Sequence, residues 1–212
     1  MILARTECKE SKIEFSNAQS GVYAATITPL PGFPSELNGW LSVDVKFKFQ
    51  TLRFFATHLE SPLGEGDYTQ YYQGLELVGI LVHSPCPVIL AGDFNSDASG
   101  LGYGPDLTPT AGIISEGYAD AWSKWRSLHR GAFHKKDYGL TWPLFLEDLP
   151  VGGILHHGLP SPSERIDLIF VDPELEDNIL QVDVVGNKAP YPSDHAGVVA
   201  TLQLEKCKHD KH

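Results

Sequence analysis

Cationic residues are scarce in this chain. Lys and Arg number 16 against 27 Asp and Glu, a formal net charge of −11 over 212 residues. Composition therefore offers no broadly cationic face for gripping a nucleic-acid backbone. This weighs against a strong, non-specific DNA binder, although a local basic patch or a bound metal ion can reverse the field inside a cleft. Cysteines are also few. Cys8, Cys86 and Cys207 are odd in number, far apart and without Cys-x-x-Cys spacing, so free thiols are expected rather than a disulfide framework. Long apolar runs are missing. Met1 to Glu14 is interrupted by Arg5, Glu7, Lys9, Glu10 and Lys12 and holds no signal-peptide core. No later stretch approaches the ~20 apolar residues of a membrane span. Taken literally, the chain is intracellular and soluble. Should residues precede Met1, any targeting segment would lie there, so the compartment stays open. Neither a repeat nor a low-complexity segment is found.

What the chain does have is an ordinary hydrophobic content of 42%, with 20 Gly and 15 Pro. That composition suits one sizeable, strand-rich domain with many turns. We place the domain at residues 1–204 and a polar tail at 205–212. From Trp40 to Phe49, Leu41, Val43, Val45, Phe47 and Phe49 alternate with Ser42, Asp44, Lys46 and Lys48, the mark of a half-buried strand. Leu52 to Thr57 follows as its hairpin partner. Asp67 to His83 is expected to be a helix whose apolar face is Tyr68, Tyr71, Tyr72, Leu75, Val78 and Val82. Pro87 to Ala91 reads as a buried central strand ending at Gly92-Asp93. Leu107–Glu116 and Tyr118–Ser127 have room for short helices. Arg165–Val171, Ile179–Val185 and Ala196–Leu204 read as strands. Few helices among many strands predict a layered α/β domain with mixed sheets rather than regular βαβ winding.

Four polar clusters sit at predicted strand ends. They are Thr57-His58-Leu59-Glu60, Gly92-Asp93-Phe94-Asn95-Ser96, Arg165-Ile166-Asp167 and Ser193-Asp194-His195. Each alone has a bland reading, since Asp and Asn cap turns and a strand-end histidine is commonplace. Asp167 is less bland. An acid between Ile166 and Leu168 is costly to bury without a partner, and a histidine across the sheet could be that partner. Phosphodiester hydrolysis needs an activated water, a charge clamp on the non-bridging oxygens and help for the leaving oxygen. A divalent cation held by Asp, Glu and Asn oxygens is the usual clamp.

Together and in this order, the four motifs resemble the endonuclease/exonuclease/phosphatase superfamily over about residues 20–204. A subgroup likeness is carried by Asn17-Ala18-Gln19-Ser20-Gly21. The resemblance implies a deoxyribonuclease I-like four-layer α/β sandwich, with two mixed β-sheets packed face to face and helices outside. It also implies a Mg2+-dependent hydrolase of phosphodiester bonds, with Mn2+ as the alternative ion. The substrate would be a nucleic acid, a phospholipid or a small phosphoester. By this resemblance His195 activates the water or contacts phosphate, and Asp167 orients it. Asp194 is a metal ligand, and Asp93 positions the water and also binds metal. Asn95 contacts phosphate and is also placed among the metal ligands, and His58 donates a hydrogen bond to the phosphate or assists the leaving group. The acidic balance leaves small or lipid phosphodiesters more open than polynucleotides. Oligomeric state is not legible.

The pattern departs from the family at its start. Complete members carry an Asn strand and then a strand ending in a metal-binding Glu, and neither is found here. Met1 to Arg5 reads like the middle of a domain, and Glu60 is a poor substitute for the missing Glu. A truncated chain is expected to bind metal less tightly and to expose a sheet edge and an apolar face. The alternative function is a non-catalytic fragment or pseudoenzyme with a binding role. Four further features are read as structural: the Cys207/His209/His212 tail, His156-His157, the Gly102-Tyr103-Gly104 turn, and at least two of Trp122, Trp125 and Trp142.

Overall fold

The structure is a computed structural model that describes residues 7–8, 11–26, 37–61, 67–100, 110–129, 138–144 and 162–204. The elements run β1 (Glu7–Cys8), β2 (Ser11–Val22), β3 (Gly39–Phe47), β4 (Gln50–His58), α1 (Thr69–Leu81), β5 (Val88–Asp93), α2 (Thr110–Ser115), β6 (Ala119–Asp120), α3 (Ala121–Leu128), β7 (Asp167–Val171), β8 (Ile179–Val185) and β9 (Gly197–Leu202). The expected polar tail, His156-His157 and the Gly102 turn lie outside the described residues.

Strands β1 to β7 form one mixed sheet in the order β1-β2-β3-β4-β5-β7-β6, and β8 pairs with β9 in a second. The tight β3–β4 hairpin is antiparallel, whereas β4 and β5 run parallel across the α1 crossover. Strand β7 then enters antiparallel to β5. Among the described residues the smaller sheet is an antiparallel pair, so only the larger sheet is mixed.

Side-chain alternation sends β4, β5 and β7 of the large sheet into two cores. On one face Phe55, Val88, Leu90, Leu168 and Phe170 pack with Leu77 and Leu81 of α1 and Ile114 of α2. On the other, Leu52 and Val171 pack with α3 and with Ile179 and Val182 of β8; Ile89 and Ile169 join them. Each such aliphatic or aromatic side chain stabilises the fold by roughly 1.5–3 kcal/mol when fully buried. The β8–β9 hairpin is thereby held face to face against the large sheet. Asp120 caps α3 by accepting from the Trp122 and Ser123 amides. Trp122 and Trp125 are buried in this second core, so their structural reading holds.

Two details depart from the sequence reading. Strand β2 was not expected. Its polar residues hide a 12-residue strand whose pairing with β3 breaks between Ser16 and Gln19. Asn17 takes a left-handed φ of 52° at that bulge and donates its amide to Asp44. The buried Arg53 donates to both Asp44 and Gln19, and its bond holds the Asp44 carboxyl below the usual range. Helix α1 lies where it was expected but is turned around. It buries Gln70, Gln73, Leu77 and Leu81, while Tyr68, Tyr72, Leu75 and Val82 of the anticipated apolar face are exposed. The sheet also leaves Phe15 and Leu41 exposed.

Candidate active site

The strand register brings three of the six expected residues side by side. His58 closes β4 opposite Asp93, and Asp93 closes β5 opposite Asp167, the first residue of β7. Directly paired residues share a face of the sheet, so one imidazole and two carboxylates form a row on its hairpin side. The row depends on close β4–β5 contact: a Cβ on Gly92 would stand 2.1 Å from the Thr57 carbonyl oxygen, so only glycine fits there.

Loops supply the rest. Asn95 has a left-handed φ of 48°, a conformation that Asn tolerates better than most residues. This turn aims its backbone N–H at Asp93 Oδ1, 2.9 Å away. Its side-chain Nδ2 donates to the Leu59 carbonyl at 2.9 Å and lies 3.3 Å from His58 Nε2. His58 itself is more than half exposed and stands 3.6 Å from Asp93 Oδ2. That contact is loose and open to water. Ahead of β9, His195 reaches across from the hairpin layer and sets Nδ1 2.9 Å from Asp167 Oδ2. Asp167 therefore has the partner its position demands, and the partner is a histidine. Arg165, two residues earlier, is bound instead to Asp120 at 2.7 Å.

Charge is concentrated here. Burial, together with the nearby Asp167 carboxylate, pushes the Asp93 carboxyl above its ordinary range, against the Asn95 amide and both imidazoles. The hydrogen bond that His195 donates to Asp167 raises its imidazole most, with the Asp167, Asp93 and Asp194 charges adding to it. Asp93, Asp167 and His195 each offer one ligand atom within 4.8 Å of the others, a group that could hold a metal ion. Two of its members are already bonded to each other, which leaves Asp93 as the carboxylate most available to a cation. Asp194 falls outside that group. Its side chain is exposed, accepts from Ser193 Oγ at 3.3 Å and lies near enough for its charge to act on His195. Glu60 is directed away, accepting the Asn38 amide at 2.8 Å.

Two supporting residues were not anticipated. The fully buried Gln70 donates Nε2 to the carbonyls of Asn95 and Glu60, at 2.6 and 3.0 Å. Gln73 accepts the Glu60 amide at 2.7 Å. Together they tie the loop after His58 to the loop after Asp93. The available signal was a pair of amides three residues apart on a helix otherwise rich in apolar residues.

The family model for Endonuclease/Exonuclease/phosphatase proteins matches residues 23–195. The chain belongs to that family. No curated protein matches it. Among solved structures, D. rerio TDP2 complexed with a single-strand DNA product superposes with a TM-score of 0.59 at 19% identity, covering 91% of this chain and 69% of that one. The mannosyl-6-phosphatase of Bacteroides thetaiotaomicron gives 0.55 at 17% identity, covering 91% and 67%. An endonuclease/exonuclease/phosphatase family protein from Leptotrichia buccalis gives 0.54 at 19%, covering 92% and 72%. These likenesses establish the fold.

Proposed function

We propose that this family member is a divalent-metal-dependent hydrolase of phosphodiester bonds, with Mg2+ as the first choice of ion and Mn2+ as the alternative. The observation that carries the reading is the His195–Asp167 hydrogen bond beside Asp93. An ionised carboxylate can only accept, so it fixes the His195 tautomer with the proton on Nδ1. Nε2 is then the atom that takes a proton from water or holds one against a phosphate oxygen. Asp93, with its Oδ1 engaged by the Asn95 amide, is suited to orienting that water. Asn95 and His58 supply neutral or cationic donors for the phosphate and the leaving oxygen.

The donor set fits a hard cation. Burial and, after it, the nearby Asp167 charge raise the Asp93 carboxyl, and a cation beside it would favour the ionised form. Asp93 would hold it, with Asn95 beside it; Asp194, the other ligand that the resemblance implies, lies outside the close group of Asp93, Asp167 and His195. When bound it would neutralise charge on the phosphate. The substrate class favoured by the formal charge of −11 is a small or lipid phosphodiester rather than a polynucleotide held by its backbone.

The test is hydrolysis of bis(p-nitrophenyl) phosphate with Mg2+ or Mn2+, beside EDTA, Asp93→Ala and His195→Ala controls. Activity that needs the ion and falls by roughly 10²–10⁴-fold in either variant is expected. A folded protein no faster than those controls would sink the reading and leave a binding role.

A further inference from the structure

One fully buried residue outside the six site residues touches both sides of the proton-transfer pair. Thr141 has no exposed surface. Its Oγ1 accepts two consecutive main-chain N–H groups, Ile166 and Asp167, each at 3.2 Å. Its carbonyl accepts the Ala196 N–H at 2.8 Å, and its own N–H donates to the Glu164 carbonyl at 2.8 Å. The segment continues the clamp: Leu144 N–H donates to the Asp194 carbonyl at 2.7 Å. Trp142 bridges to Glu164 and holds its ring 6.2 Å from the His195 ring.

We propose that Thr141 is a positioning residue for the Asp167–His195 pair: its hydroxyl fixes the main chain that carries Asp167, and its carbonyl fixes the main chain that carries His195. A hydroxyl oxygen has two acceptor lone pairs, and the two amides use both. Valine would fill the same space but leave one buried and one part-buried N–H group without their acceptor, which the chain relieves by moving. The movement falls on Asp167, whose hydrogen bond to Nδ1 sets the ring of His195. The catalytic consequence rests on the hydrolase reading proposed above; the positioning does not.

The experiment uses the full chain and the variants Thr141→Val, Thr141→Ser and, for assignment, Asp167→Asn. The first readout is the downfield proton resonance of the hydrogen-bonded His195 Nδ1–H, identified by its loss in Asp167→Asn. The second is the separate kcat and KM for bis(p-nitrophenyl) phosphate. The expected result is a resonance kept in Thr141→Ser and lost in Thr141→Val. It is accompanied in the valine variant by a fall in kcat of about ten- to a hundredfold, with KM little changed. A valine variant that keeps both the resonance and the wild-type kcat overturns the proposal. If Thr141→Val does not fold, Thr141→Ser decides: a folded serine variant that keeps the resonance supports the proposal, and one that loses it overturns it. A wild-type chain with the resonance but without hydrolysis defeats the catalytic reading, while the difference between the variants still decides the positioning.

Discussion

Burial and the neighbouring Asp167 charge hold the Asp93 carboxyl above its usual range, so the folded state binds that proton more tightly than the unfolded chain does. Its contribution to stability is fully present below the ordinary value of 3.8 and is lost as pH rises through the raised one. Above that raised range, therefore, the ionised Asp93 works against folding. Asp93→Asn, which copies the neutral form, should raise the melting temperature in EDTA by an amount that vanishes below pH 3.8 and grows above it, while hydrolysis falls. A lower melting temperature at pH 7 would contradict this account. At this scale the sequence was most informative. Asp167 looked out of place between apolar neighbours, and the partner it was thought able to take, a histidine, is the one it has. Which histidine answered could not be read from spacing, because His195 arrives from a different sheet. Nor could the exposure of Asp194, which depends on the path of a loop.

Helix α1 shows where periodicity misleads. Its tyrosines and Leu75 recur at helical steps, yet the buried side carries Gln70 and Gln73 beside Leu77 and Leu81. Hydrophobic counting chose the wrong face because the two loops beneath the helix have main-chain groups that only buried amides can satisfy. Gln70→Leu should cost about 1–3 kcal/mol in urea unfolding, since two carbonyls lose their donor, and should lower activity by releasing Asn95. Tyr72→Ser, on the exposed side, should stay within about 0.5 kcal/mol of wild type. Equal effects would mean that the helix is docked otherwise. Strand β2 was missed for a related reason. The bulge at Asn17 shifts its pairing, and its polar residues serve Arg53 and Asp44 instead of a core. The positions of helix α1, of the β3–β4 hairpin and of β5, β7, β8 and β9 were legible, with several ends displaced by a residue or two, because plain alternation or a short apolar run decides them.

Across the whole molecule, the site is shared between layers. His58, Asp93 and Asp167 ride on the large sheet, whereas His195 leads into β9, which among the described residues pairs with β8 alone. The hairpin is held to the large sheet by side-chain packing around Val182, Ile179 and Val171 rather than by a continuous hydrogen-bond ladder. Partial release of the hairpin should therefore separate His195 from Asp167 while the large sheet stays folded. Under increasing urea, hydrolysis and the amide protection of β8–β9 should fail together, at lower concentration than the protection of β4 and β5. Simultaneous loss everywhere would show that the layers unfold as one. A molecule gripping His195 and Asp93 at once would rivet the two layers. Its affinity would then be measurable as the extra urea needed to pry the hairpin loose, with no bond broken in the ligand at all.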